Sequence, residues 1–348
     1  MHNIFRCRSV FERFNIQSCL CGVAVATLIA SCARKPAGDQ FKVALLTPGP
    51  ISDAGWNAGA YEGLLRIRDS LSAQVSQVET RTPAEFEEAF RDYARRGFNL
   101  VFGHGFEFQD AAARVGAEYP NTIFITTSGS TVRPNVSPMI FQLEEGTYLG
   151  GMLAGALTRS GKVGFVGGVK LPPVEGTYLG FAGGARAVRP GTEVLQAYIG
   201  NFEDVAAAKE YALAQIHRGA DVLIHNADAA AFGIFQAARE NPGVLAIGSN
   251  RNQNAVAPDV IVASATLDVP HALLVVARTV KERRFHAGVM PLGIKDSVVD
   301  FVINERLAAR VPAAIRARIA AARDSIVRGT LHVPHVEIVP DSTAHKRA

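Results

Sequence analysis

Cysteine is missing from most of this chain. All four cysteines of the 348 residues fall within the first 32 positions, and the last of them is Cys32. Residues 33–348 therefore cannot form disulfide bonds or supply a nucleophilic thiol. Their stability has to come from apolar cores, and a hydrophobic content of 48% supplies the material for two domains.

Strong charge and familiar catalytic motifs are also missing. The formal net charge is +4, and no block of lysine and arginine is long enough to attract nucleic acid. The sequence contains no Gly-x-Ser-x-Gly, His-Glu-x-x-His or Walker motif. His332 and His335 stand isolated near the C-terminus and are too few to indicate a metal site. The sequence thus predicts neither an enzyme nor a cofactor, a metal ion or a nucleic-acid partner.

The first residues have the layout of an export signal. Three arginines precede an apolar run over residues 20–30, and Cys32 follows two small residues, as in the lipobox of bacterial lipoproteins. The run is far shorter than the roughly 20 residues that a helix needs to cross a bilayer. We predict a signal peptide over residues 1–31, a lipidated Cys32 that anchors the protein to the membrane, and a tether over residues 32–40. An ordinary cleaved signal with a chance cysteine is the alternative, and both place the protein outside the cytoplasm.

Strand and helix patterns alternate through the rest of the chain. Short apolar runs predict strands, and apolar residues at helical spacing predict helices between them. The strands are expected at 42–47, 75–79, 100–102, 122–126, 162–166, 193–198, 221–224 and 244–247. The helices are expected from residue 56 to 71 and at 83–97, 108–118, 178–188, 205–218, 229–239 and 312–327. This alternation predicts an α/β fold with doubly wound parallel sheets and a ligand cleft at the carboxyl ends of the strands.

Several short motifs, in their order and spacing, resemble one known family. They are Lys42–Thr47, Asp53-x-x-Trp56-Asn57, Gly105-Phe106-x-x-x-Asp110, Tyr119-Pro120-x-Thr122-x-Phe124, Gly161–Gly168, Gly180-Phe181-x-x-Gly184-Ala185, Phe202-x-Asp204-x-x-x-Ala208-Lys209 and Gly219–Val222. Together they resemble the basic membrane protein family of substrate-binding lipoproteins of ABC transporters, which includes purine nucleoside receptors. The resemblance covers residues from about 41 to about 284.

The resemblance implies a type I periplasmic-binding-protein fold, in which two lobes close on a ligand about a hinge. Lobe 1 is expected over 41–142 and about 256–285, and lobe 2 over 143–255 and about 286–340. The implied ligand is a purine nucleobase or nucleoside, and the implied partners are an ABC permease and its ATPase. A tethered sensor that binds a similar heterocycle without transporting it is the alternative.

The first strand-to-helix loop supplies three candidate ligand-binding residues. Trp56 lies where the family has an aromatic that stacks on the ligand, although it also fits packing against the sheet under its own helix. Asp53 is able to accept hydrogen bonds from ring N–H or amino groups, or simply to stabilise the helix N-terminus. Asn57 follows in the same family motif.

Further candidates follow later strands. His104 and Phe106 come directly after the third predicted strand, and a surface-facing loop histidine is an equal alternative for His104. Phe232 is the expected aromatic of lobe 2, although it also fits the core face of its helix. Asn250 stands where nucleoside-binding members have a carboxylate, and the family's lysine falls at about Leu267. Because those charged groups grip the ribose, their loss favours a free nucleobase as the ligand.

Overall fold

The computed structural model describes residues 40–53 and 55–341. The predicted signal peptide, Cys32 and the tether up to residue 39 lie outside the described residues. None of the described helices is both long enough and apolar enough to cross a membrane.

The described chain contains twelve strands and nine α-helices. The strands are β1 (Lys42–Thr47), β2 (Gln74–Glu79), β3 (Leu100–Gly103), β4 (Ile123–Thr127), β5 (Val136–Phe141), β6 (Lys162–Gly167), β7 (Glu193–Tyr198), β8 (Val222–Asn226), β9 (Leu245–Asn250), β10 (Ile261–Leu267), β11 (Met290–Leu292) and β12 (Val299–Ile303). The helices are α1 (Trp56–Leu71), α2 (Pro83–Arg95), α3 (Gln109–Glu118), α4 (Leu143–Leu157), α5 (Pro172–Val188), α6 (Val205–His217), α7 (Ala231–Glu240), α8 (Val269–Lys281) and α9 (Ala313–Val327).

The strands form two six-stranded sheets, one in each lobe. The lobe 1 sheet has the order β11-β5-β4-β3-β1-β2, and all its pairs are parallel. The lobe 2 sheet has the order β12-β10-β9-β8-β6-β7 and is parallel except for the antiparallel edge strand β12. The predicted α/β fold of two doubly wound, largely parallel lobes is confirmed.

The chain passes between the lobes several times. It crosses between β5 and α4, between β10 and α8, and again after β11, because β10 pairs in the lobe 2 sheet while β11 pairs in the lobe 1 sheet. The segment that returns to lobe 1 therefore spans about 268–292 rather than the expected 256–285. Asp341 then pairs with Thr131, so the last described residues reach lobe 1 again.

Local sequence fixes several helix ends. Thr82 and Glu85 form a reciprocal capping box at the start of α2, with Pro83 at the first helical position, as the sequence predicts. By contrast, α5 begins at Pro172, well before the expected residue 178. Leu171 is extended and Pro172 sets the backbone angle of the first turn, so the helix starts at the proline pair.

Candidate functional site

A cavity of about 210 Å³ lies between the lobes, at the carboxyl ends of the strands. Its lobe 1 wall comes from the loops that follow β1, β3 and β4, and its lobe 2 wall from the loops that follow β6, β7, β8 and β9. This is the position at which doubly wound sheets bind ligands. Of the predicted site residues, Asp53, Trp56, Asn57, Phe106 and Asn250 line it, whereas His104 and Phe232 do not.

Trp56 is fixed from one side by other rings. Its indole stacks on the His104 imidazole, with ring centroids 4.0 Å apart and planes 20° apart. The Phe141 ring contacts it edge-on at 5.6 Å. Trp56 therefore lines the cavity as a supported aromatic surface rather than as a mobile side chain.

His104 supports this surface from beneath and does not reach the cavity. It is fully buried; its Nε2 donates to the Trp56 carbonyl oxygen at 3.0 Å, and its Nδ1 accepts from the Thr127 hydroxyl at 3.0 Å. Burial lowers the pKa of His104 to about 3, so the ring is neutral at physiological pH. The expected ligand contact of His104 is replaced by a positioning role, and the alternative of a surface histidine does not fit either.

Asp53 both lines the cavity and caps the first helix. Its carboxylate oxygens accept from the backbone N–H groups of Gly55, Asn57 and Ala58 at 2.8 to 3.0 Å. A negative charge is favoured at this position because the first N–H groups of a helix have no partner within the helix. Three of about four acceptor positions are thus occupied, which leaves one side of the carboxylate for a ligand.

Asn57 offers an unused polar group. Only 7% of the residue is exposed, it lines the cavity, and its Oδ1 atom is buried without a hydrogen-bond partner among the described residues. A buried amide without a partner costs free energy, which a bound ligand would recover. Asn57 therefore presents an acceptor at the cavity wall that no described residue pairs with.

The lobe 2 aromatic at the cavity is Phe202, not Phe232. Phe232 lies in α7 with 48% of its surface exposed and does not line the cavity. Phe202 follows β7 and packs over Gly168, where an added Cβ atom would come within 2.2 Å of its ring. The sequence signal for Phe202 is its place just beyond the carboxyl end of a predicted strand.

Asp228 is a second residue that sequence reasoning missed. It follows β8, lines the cavity, and accepts from the Asn250 side-chain amide at 2.8 Å. Asp228 and Asn250 both have positive φ, at 43° and 67°, in the left-handed region that Asp and Asn tolerate better than most residues. Burial, and then the charge of Asp53 on the other lobe, raise the pKa of Asp228 to about 7.

The cavity is electronegative. Asp53, Glu107, Glu203 and Asp228 line it, and no Lys, Arg or His side chain is among its described lining residues. Burial raises the pKa of Glu107 as well. A cavity of this charge disfavours anionic ligands and favours neutral or positively charged ones that donate hydrogen bonds.

Comparison with known proteins identifies a family of substrate-binding proteins, which agrees with a ligand cavity between two lobes. Residues 40–335 match the Bmp family model, described as ABC transporter substrate-binding protein PnrA-like. Basic membrane protein A2 of Borrelia garinii subsp. bavariensis is 27% identical over 303 residues, which cover 84% of this chain and 88% of that protein. Transcriptional activator protein med of Bacillus subtilis is 26% identical over 296 residues, covering 82% of this chain and 92% of that protein.

Solved structures share the fold. A solute-binding protein of an ABC transporter system from Aeropyrum pernix K1 superposes with a TM-score of 0.77 at 20% identity, covering 86% of this chain and 94% of that one. The family match spans both lobes and the cavity between them. The chain therefore belongs to the Bmp family of ABC transporter substrate-binding proteins.

Proposed function

We propose that this protein is an extracytoplasmic, lipid-anchored receptor of an ABC importer that captures a purine-type ligand, nucleobase or nucleoside, between its lobes. The observation that supports the proposal is a cavity lined by aromatic rings from both lobes, with Trp56, Phe106 and Phe141 in lobe 1 and Phe202 in lobe 2. A planar heterocycle needs apolar faces above and below it and a few polar groups at its edge. Asp53 and Asn57 supply such an edge. The ligand then passes to a permease with its ATPase.

Two side chains favour a free base over a nucleoside. Asn250 and Leu267 line the cavity where the resemblance to nucleoside receptors leads us to expect a carboxylate and a lysine. An amide and an apolar side chain cannot make the charge-assisted bonds that grip a ribose, each worth about 1.5–3 kcal/mol. Phosphorylated ligands are disfavoured further, because no cationic side chain among the described lining residues would pair with a phosphate.

Binding of a purine is expected to quench the intrinsic tryptophan fluorescence, because the ligand would stack on the Trp56 indole. Trp56 is the only tryptophan, so the signal reports this residue alone. Adenine, guanine and their nucleosides are titrated while fluorescence and heat are recorded, and the bases are expected to bind at least as tightly as the nucleosides. Trp56→Phe is the control: it removes the optical signal while the calorimetric signal persists. Binding without quenching would remove Trp56 from the site, a clear preference for nucleosides would overturn the base-only site, and no binding of any purine would overturn the proposal.

Replacing Asp53 with alanine is expected to weaken ligand binding by about 1.5–3 kcal/mol, because a charged acceptor at the cavity edge is lost. Because the carboxylate also accepts from three backbone N–H groups at the start of α1, those of Gly55, Asn57 and Ala58, we expect an additional loss of about 1–2 kcal/mol in the free energy of unfolding. Calorimetry gives the first quantity and urea denaturation the second. Asp110→Ala is the matched control, since Asp110 lies in the first turn of α3 and does not line the cavity. Unchanged affinity in Asp53→Ala would exclude Asp53 from the site.

A tethered sensor is the alternative function, and one relative is named as a transcriptional activator. The two functions differ in what the host cell loses when the gene is deleted. Loss of uptake of radiolabelled purine supports transport. Unchanged uptake with a lost transcriptional response to purine supports sensing.

A further inference from the structure

Asp228 carries an unused acceptor into the cavity from lobe 2. One carboxylate oxygen, Oδ1, accepts from the Asn250 amide at 2.8 Å, and Oδ2 has no hydrogen-bond partner among the described residues. The positive φ of Asp228 holds the side chain at the carboxyl end of β8, where an added Cβ atom on Gly55 of lobe 1 would lie 3.6 Å from Oδ1. Asp228 therefore faces the loop of lobe 1 that carries Asp53.

The unused polar atoms around this carboxylate are largely acceptors. Asn57 Oδ1 is buried without a partner, and Asp53 keeps one open side. The Asn226 side-chain amide already has partners, because its Nδ2 donates to the Thr177 hydroxyl and its Oδ1 accepts from the Asn250 amide. Asn57 also keeps its amide N–H donors, but no cationic side chain is among the described lining residues, so the open carboxylate oxygens of Asp228 and Asp53 favour a ligand that donates hydrogen bonds.

We propose that Asp228 determines ligand specificity, accepting an N–H group from the edge of the ligand that faces lobe 2, so that the cavity selects nitrogen heterocycles with an amino group at that edge over their oxo counterparts. This inference rests on the proposed function and deepens it. A carboxylate pairs with an amino group through a charge-assisted hydrogen bond, whereas it repels the carbonyl oxygen of an oxo-heterocycle. An asparagine at the same position is able to donate as well as accept, so it would not discriminate.

The test compares 2,6-diaminopurine with xanthine. The first carries amino groups at C2 and C6, and the second carries oxo groups at the same two positions, so the comparison holds whichever of the two positions faces Asp228. We expect the wild-type protein to bind diaminopurine at least tenfold more tightly than xanthine in calorimetry. Asp228→Asn, which keeps the shape of the side chain, is expected to reduce that ratio by about tenfold. Glu240→Gln is the matched control, because it makes the same chemical change in lobe 2 at an exposed ion pair with Lys209 and should leave the ratio unchanged.

A pH series gives a second readout. A ligand that donates to Asp228 binds its ionised form, so diaminopurine affinity is expected to fall as the pH drops from 8 to 6 in the wild type and to fall less in Asp228→Asn. The other titratable groups that face this region are Asp53 before α1, Glu107 after β3 and Glu203 after β7, and all three are the same in both proteins. The difference between the two proteins therefore reports the titration of Asp228 together with its coupling to Asp53.

The outcomes separate the two proposals. If purines bind and the diaminopurine-to-xanthine ratio is the same in Asp228→Asn as in the wild type, the specificity role of Asp228 is wrong while the proposed function stands. If no purine binds to the wild type, both fail. A thermal unfolding curve shows that the variant is folded, and Asp228→Ser, which removes the charge without adding an amide, serves as the second variant and should lower the ratio in the same direction.

Discussion

Replacing Gly184 with alanine is expected to lower the free energy of unfolding by about 2–3 kcal/mol. Gly184 lies in α5, where α4 packs so closely that an added Cβ atom would stand 1.9 Å from the carbonyl oxygen of Tyr148. The converse contact is as close, since a Cβ atom on Gly151 of α4 would stand 2.0 Å from the Phe181 carbonyl. Backbone atoms cannot rotate away, so the helices must separate and the buried packing around them is lost.

A matched glycine in the same helix isolates this effect. A Cβ atom added to Gly176 would meet its nearest neighbour, the Glu144 side chain, at 3.8 Å, which is ordinary van der Waals contact. Gly176→Ala should therefore be neutral or stabilise the protein by up to about 1 kcal/mol, because alanine favours helix over glycine. Denaturant midpoints followed by circular dichroism measure both variants. Equal stability of the two would show that α4 and α5 are free to move apart.

This helix pair also shows where the sequence ceases to predict the fold. The alternation of strands and helices, and the capping box at Thr82, follow from patterns within ten or so residues. The pairing of α4 with α5 depends on glycines far apart in the chain, and their contact exists only once both helices have formed. The sheet that β10 or β11 joins is likewise not predictable from local sequence. An apolar strand carries no local sign of which of the two sheets it pairs with.

At the site, the sequence predicts loops better than individual side chains. Trp56 and Asp53 line the cavity because the loop that carries them leaves β1 at the carboxyl edge of the sheet. Phe232 does not line the cavity and is not in the core either, because it points to solvent from α7; Phe202, in the loop after β7, lines the cavity instead. Asp228 follows its strand in the same way as Asp53, and this position is the signal that would have identified it.

Acid is expected to destabilise the wild-type protein more steeply than His104→Gln. The pKa of His104 is lowered to about 3 by burial, against about 6.5 in an unfolded chain. Below pH 6.5 the unfolded chain therefore binds a proton that the folded protein excludes, and the free energy of unfolding falls by about 1.4 kcal/mol per pH unit until the folded pKa is reached. Between pH 6.5 and 4 this one residue is expected to cost about 3 kcal/mol, a loss that the glutamine variant does not have.

Other buried groups act on the same profile but cancel in the comparison. The pKa of His225 is lowered to about 4 by burial, which adds to the acid sensitivity of both proteins. Burial raises the pKa of Asp228 and of Glu144 to about 7, so these carboxyls bind protons more tightly in the folded state and stabilise it as the pH falls below 7, again in both proteins. Urea denaturation at half-unit steps from pH 7 to 4 isolates His104, and His217→Gln, at an exposed histidine of α6, serves as the control. Parallel profiles of the wild type and His104→Gln would mean that the His104 ring takes up a proton in the folded state. The conclusion that a neutral imidazole supports the Trp56 indole would then be wrong.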